Sequence, residues 1–132
     1  KEWERQIEEA KKHNNKLLIE FEKHLKTKSL KSKTIKNHTD NVEFYANGFL
    51  LRYEIIPVEK GILRIGDYLG DFFIRTASWA SKYTIQENIA SFKKFYSFLN
   101  KNGKVSNNKL AEMKELIKDE KSDWIEEVEN YW

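Results

Sequence analysis

The sequence contains no cysteine, one proline and five glycines among its 132 residues. Without cysteine, neither a disulfide nor a thiolate metal site can form. Because so few residues interrupt helices, the composition favours an all-α fold. The chain also lacks a signal-like apolar run and any stretch of ~20 apolar residues. We therefore expect a cytoplasmic protein that has no membrane partner.

The length predicts one helical domain with a substantial core. A chain of 132 residues is typical of a single domain, and an aromatic content of 14% supplies bulky side chains for the core. We expect a core bundle over residues 15–105, followed by acidic helices over residues 106–132. Because the chain begins at Lys1, we also expect it to be a piece of a longer protein.

Charge is distributed unevenly along the chain. Residues 1–104 carry 20 Lys/Arg against 13 Asp/Glu, whereas residues 105–132 carry four against eight. The segment from Glu22 to His38 holds six lysines and one glutamate. A polyanion would therefore meet one basic surface of this protein rather than its whole exterior.

Apolar residues at helical spacing predict the order of the helices. The first helix has Trp3, Ile7, Ala10, Leu17 and Phe21 on one face, and its first ten residues form either a separate arm suited to oligomer contact or a continuation of the helix. A second helix has Ser32 as its N-cap and ends near Tyr53. A third covers 65–77, and a fourth is capped by Ser81 or Thr84 and ended by Gly103. Two short acidic helices are expected over 108–119 and 122–132.

Signals for an enzyme are weak in this sequence, and it implies no cofactor. Glu20 and His24 lie one helical turn apart, but without further donors we interpret them as an exposed polar pair rather than as metal ligands. Gly66 and Gly70 lack the Lys-Ser/Thr ending of a phosphate loop, so we expect them to permit close helix packing.

The aromatic residues of the fourth helix have two interpretations. They could stack on nucleobases, as in single-strand binders. Their spacing favours the core instead, because Phe92, Tyr96 and Leu99 follow each other at i, i+4 and i+7. Phe95 and Phe98 are expected to pack on a second side.

Two helix starts combine cations with short hydrogen-bond donors. Lys31, Ser32, Lys33, Thr34, Lys36 and Asn37 occupy the start of the second helix, and Ser81, Lys82, Tyr83 and Gln86 occupy the start of the fourth. Unpaired N–H groups and the helix dipole already favour an anion at such a position. These residues are our candidates for DNA binding.

The stretches FEKHLKTKSLKSKTIKNH and SKYTIQENIASFKKFYSFLNKNGKV carry a family resemblance. An apolar helix, a polar hinge, a Ser-x-x-Thr-like helix start and a later aromatic-rich helix ended by glycine occur in this order over residues 15–105. This order resembles the N-terminal core-binding domain of tyrosine recombinases, the phage integrase family. The resemblance implies a SAM-like bundle of about four helices and a role in DNA integration and recombination.

The resemblance also implies a binding mode, since that domain forms half of a clamp around duplex DNA. Its second and fourth helices face the major groove. The implied contacts are Lys33, Thr34, Lys36 and Asn37 from the second helix and Ser81, Lys82, Tyr83 and Gln86 from the fourth. Lysine and serine would hold phosphates, while Asn37 or Gln86 would reach a base edge.

The chain departs from the family in lacking its catalytic residues. The arginine, the lysine, the His-x-x-Arg pair and the nucleophilic tyrosine of the recombinases are not found in this sequence. We therefore expect a non-catalytic module, either an excised domain of a recombinase or a stand-alone protein that keeps this fold alone. Its partners would be duplex DNA and either further copies of itself or a catalytic domain of the same parent chain. The alternative is a helical interaction or oligomerisation module without a DNA role, using the Trp3, Ile7 and Ala10 stripe and the aromatic residues Trp124, Tyr131 and Trp132.

Overall fold

The computed structural model describes residues 1–131, and these residues form helices joined by turns, without any β-strand. The predicted all-α class is confirmed. The chain divides into two compact units, one from Lys1 to Gly61 and one that starts at Ile62. The expectation of a single domain stays a prediction.

The first unit is built from two long helices. Helix α1 spans Glu2–Lys26 without interruption, so the first ten residues continue the helix. Helix α2 spans Ser32–Glu43 and continues as a π-helical segment, Phe44–Phe49. The two helices pack on each other through apolar residues, and a 3₁₀ turn, Val58–Lys60, follows near the end of the unit. The buried residues of these helices include Leu17, Phe21, Leu25, Ile35 and Val42.

Both predicted ends of the second helix were wrong. Lys31, with extended backbone angles, occupies the N-cap position, and Ser32 is already helical. At the other end, the helical run stops at Phe49 instead of Tyr53. Ile56 N–H donates to the carbonyl of Leu50 at 3.1 Å, so the chain turns back there. Leu50 and Leu51 are buried in this turn. Because buried apolar residues also mark a helix face, the sequence pattern predicted that the helix would continue through them.

The second unit contains three helices. After a 3₁₀ turn, Ile62–Arg64, helix α3 runs as Ile65–Asp67, a π-helical segment Tyr68–Phe72, and Phe73–Thr76. Helix α4 spans Lys82–Lys101 and helix α5 spans Asn107–Tyr131. The predicted third and fourth helices are confirmed, and so is the burial of Phe92, Phe95, Tyr96, Phe98 and Leu99.

Gly103 ends helix α4 in the predicted way. Its φ of 74° lies in the left-handed region that glycine tolerates. Lys104 N–H donates to the carbonyl of Leu99 at 2.9 Å, and Gly103 N–H donates to that of Asn100 at 3.0 Å. These two bonds form a Schellman motif, which satisfies carbonyls that the helix leaves open.

The prediction of two acidic C-terminal helices was wrong, because one helix, Asn107–Tyr131, covers both predicted spans as far as the structure describes them, and Trp132 lies outside the described residues. Met113, Ile117, Trp124 and Val128 are buried at spacings of four, seven and four residues. That pattern keeps one helix face against the core through the polar stretch around Ser122. No proline or glycine interrupts the stretch. Packing of the buried residues on either side of it overcomes the weak helix propensity of serine and aspartate.

Gly66 and Gly70 lie against the indole of Trp124, which confirms their predicted packing role. A Cβ added at Gly70 would lie 2.8 Å from Cδ1 of Trp124, and one at Gly66 would lie 3.8 Å from Cζ2. Trp124 is only 3% exposed. It therefore packs within its own unit. The alternative of an interaction module required Trp124 to be exposed to a partner, and it is not.

Gly70→Ala is expected to lower the free energy of unfolding by ~1–3 kcal/mol, because the buried indole of Trp124 leaves no room for the methyl group. Gly66→Ala is the matched control in the same helix. Its new methyl group would come closest to the flexible carboxylate end of Glu120, at 3.3 Å, and would make ordinary contacts with Leu116 and Trp124 at 3.8 Å, so a loss below ~1 kcal/mol or a small gain is expected. Chemical denaturation measures both variants, and equal losses would contradict this packing account.

Candidate nucleic-acid interface

The start of helix α2 has no internal acceptor for its first amide groups. The first helical bond is donated by Ile35 N–H to the carbonyl of Lys31, at 3.0 Å. The N–H groups of Ser32, Lys33 and Thr34 precede it and have no partner inside the helix. No side chain caps this end, and no acidic residue lies in its first turn. An external anion can therefore accept these hydrogen bonds.

The loop before α2 brings lysines to the same end. Ser29 adopts a φ of 60°, a left-handed conformation that is uncommon for residues other than glycine. Lys28, Lys31 and Lys33 are exposed on either side of the turn into α2. None of these three lysines forms an ion pair within residues 1–131.

Lys36, by contrast, is already paired with a carboxylate. Its ammonium group donates to Oδ2 of Asp40 at 2.8 Å, one turn further along α2. This hydrogen bond and the nearby negative charge raise the pKa of Lys36. Lys36 therefore offers less net attraction to a phosphate than Lys31 or Lys33 does, although the sequence placed all three together.

A groove of about 460 Å³ lies beside the start of α2. It is lined by Glu22, Lys26, Leu30, Ser32, Ile35, Lys36 and Thr39. Ser32 thus lines this groove and makes no capping hydrogen bond, although the sequence predicted it as the N-cap. Glu22 lies 3.7 Å from Lys26 in an ion pair, which reduces the positive charge on that side of the groove.

Thr34 and Asn37 are half-buried on α2.

The start of helix α4 is closed by its own side chains. Oγ of Ser81 accepts a hydrogen bond from Thr84 N–H at 3.2 Å, and Ser81 N–H donates to Oγ1 of Thr84 at 2.8 Å. This reciprocal arrangement is a capping box, and it confirms that Ser81 caps the helix. Because those donors are satisfied, an anion would gain less here than at α2.

Side chains around the start of α4 are nevertheless open to solvent. Lys82 is exposed, Tyr83 is 75% exposed and Gln86 is half-buried. Trp79, which was predicted only as part of a connection between two helices, is 57% exposed. Its ring makes an edge contact with Phe73, with ring centroids 6.4 Å apart. The signal for Trp79 was its position among small residues, Ala77, Ser78, Ala80 and Ser81, which cannot cover an indole.

Metal sites, membrane-spanning helices and an activated tyrosine would each indicate another function for the residues that the structure describes. No group of three or more His, Cys, Asp or Glu side chains is placed to hold a metal ion. No helix in residues 1–131 combines the length and apolar character needed to cross a membrane. Burial raises the pKa of Tyr68, which is the opposite of what activates a tyrosine nucleophile.

Comparisons with known proteins give no relative from which a function could be transferred. No protein-family model matches the chain, and searches of curated proteins and of solved structures return no match.

Ser81→Ala is expected to lower the free energy of unfolding by ~1 kcal/mol, because it removes the side-chain acceptor of the α4 capping box. Ser32→Ala is the matched control. Ser32 makes no capping bond, so a change within ~0.5 kcal/mol is expected. Urea denaturation of both variants compares them directly. A larger loss for Ser32→Ala than for Ser81→Ala would show that the two serines had been assigned the wrong roles.

Proposed function

We propose that this chain is a duplex-DNA-binding module of a site-specific recombinase, similar to the core-binding domains of tyrosine recombinases. The observation that carries the proposal is the start of helix α2. It has no side-chain cap and no carboxylate in its first turn, and Lys31 and Lys33 beside it form no ion pair with any described residue. Phosphate is the ligand that suits such a combination.

A backbone phosphate would be held by two kinds of donor at this position. The N–H groups of Ser32, Lys33 and Thr34 would donate to its oxygens, in the direction that the helix dipole favours. The ammonium groups of Lys31 and Lys33 would supply the opposite charge. Both kinds of contact are independent of base sequence, so they would set position and affinity rather than specificity.

Specificity would have to come from other side chains. Asn37 follows one turn after the start of α2, and an amide can donate to and accept from an adenine edge. Gln86 is the corresponding candidate on α4, and Lys82, Tyr83 and Trp79 are exposed near that helix start. Since the N–H groups of Ser81 and Thr84 are bonded within the capping box, this helix would contribute mainly through side chains.

The proposed role is binding without catalysis. The sequence offers no counterpart of the recombinase arginine, lysine, His-x-x-Arg and tyrosine nucleophile. DNA cleavage would therefore belong to a catalytic domain elsewhere in a parent chain.

The double variant Lys31→Ala/Lys33→Ala is expected to weaken binding to all duplex sequences alike. Each lost phosphate contact should flatten the log–log dependence of affinity on salt by about one unit, so the pair should lower the slope by about two. Fluorescence anisotropy of a labelled random-sequence duplex, measured at several salt concentrations, gives both values. Thermal melting should be almost unchanged, because exposed lysines contribute little to stability.

The matched control is Lys114→Ala/Lys118→Ala on helix α5. It removes the same charge from two exposed lysines that lie in the acidic part of the chain. Affinity and salt slope should stay close to those of the wild type. Equal effects of the two double variants would mean that net charge alone governs binding, and the α2 start would then have no special role.

A further inference from the structure

The first twelve residues of helix α1 carry an apolar stripe that continues beyond the core of their unit. Trp3, Ile7 and Ala10 are followed at the same alternating spacing of four and three residues by buried positions, namely Asn14, Leu17 and Phe21. This spacing is the a/d pattern of a coiled coil. Trp3 is 46% exposed, and Ile7 and Ala10 are only half-buried.

Hydrogen bonds from α1 to the rest of the unit begin only after this stripe. Side-chain hydrogen bonds and ion pairs of described residues 1–12 stay within the helix, joining Arg5 to Glu2 and Glu9, and Gln6 to Glu2. The first bonds that leave α1 are those of His13 to Glu59, at 2.6 Å, and of Asn14 to Asn47, at 2.8 Å. The stripe formed by Trp3, Ile7 and Ala10 is therefore a helix face that its own unit leaves partly uncovered.

Charges along this part of α1 separate into two halves. Residues 1–9 contain four glutamates against Lys1 and Arg5, whereas residues 10–16 contain three lysines and no acidic residue. Two copies aligned in parallel would bring like charges together. Two copies aligned antiparallel would set the acidic half of each against the basic half of the other.

Two residues on one side of the stripe make this complementarity specific. Glu4 and Lys11 are seven residues apart, so both occupy the e position of the heptad, next to the seam. Glu4 accepts a hydrogen bond from the backbone nitrogen of Lys1, and the Glu4 side chain remains 82% exposed. Lys11 is exposed and forms no ion pair within the described chain. An antiparallel alignment that brings Glu4 beside Lys11 of a second copy also brings Trp3 near the small side chain of its Ala10.

We propose that this face of α1 binds a second copy of the chain, as an antiparallel helix pair around a two-fold axis. Both copies use the same surface, so each contact occurs twice and the interface closes on itself. The seam is about two heptads long and ends where Asn14 is bonded within its own unit. Such a short interface predicts a weak dimer, with a Kd on the order of 100 μM.

The test is a charge exchange in the full chain, followed by sedimentation equilibrium up to ~1 mM protein. Glu4→Lys alone and Lys11→Glu alone each convert two attractive contacts of the dimer into two repulsive ones, so each should raise the dimer Kd about tenfold. An equimolar mixture of the two variants restores both attractive contacts and should associate as the wild type does. Because mixing cannot rescue a misfolded chain, recovery in the mixture would separate interface from folding effects.

Glu8→Lys and Lys12→Glu are the matched controls, since they make the same charge changes on the opposite side of the helix from the stripe. Both should dimerise like the wild type. A wild-type chain that stays monomeric up to ~1 mM would overturn the proposal, as would single exchanges without effect or a mixture that does not recover. A monomeric wild type would leave this face to a different partner protein.

The dimer proposal does not rest on DNA binding, and the two can fail separately. The proposed duplex affinity depends on Lys31 and Lys33, whereas the proposed self-association depends on Glu4 and Lys11. Anisotropy measurements on the Glu4→Lys variant, at concentrations where every chain is monomeric, should give the wild-type salt slope for DNA.

Discussion

The first amide groups of a helix have no carbonyl partner within the helix, and each helix of this chain must satisfy them in some way. Helix α4 does so with Ser81 and Thr84, and helix α5 does so with Ser106, whose hydroxyl accepts from Lys109 N–H at 3.1 Å. Helix α2 has neither a capping side chain nor an acidic first turn. Its amides remain open beside Lys31 and Lys33, which form no ion pair with any of residues 1–131. This difference among the helices is what makes the α2 start the proposed phosphate site.

Helix faces could be predicted from the sequence because they follow from periodic burial of large side chains. Phe92, Tyr96 and Leu99 occupy the core because their spacing permits no other common face. The continuity of helix α5 could not be predicted, since Ser122 and its neighbours have weak helix propensity. It depends on Trp124, whose indole fits against Gly66 and Gly70 on another helix. A contact between residues more than fifty positions apart leaves no local signal.

The candidate site was predictable in residue type but not in detail. Lysine enrichment around residues 28–36 and the serine at 81 indicated two helix starts, and both starts exist. The capping role of Ser32 was wrong because capping depends on one residue's backbone angles, which a shift of the helix start by one position changes. The pairing of Lys36 with Asp40 was readable from their i,i+4 spacing. Exposure of Trp79 was readable only in part, because the small residues around it indicate little local cover for an indole, whereas the contact of its ring with Phe73 depends on the fold.

The central claim is that the open amides of α2 bind phosphate, and an NMR titration tests it most directly. A ¹⁵N-labelled chain is titrated with a short random-sequence duplex, and the shift of every backbone amide is followed. The account predicts the largest and earliest perturbations at the amides of Ser32, Lys33 and Thr34, with the capped amide of Thr84 changing much less. Perturbations concentrated elsewhere, with residues 32–34 unmoved at saturation, would contradict it.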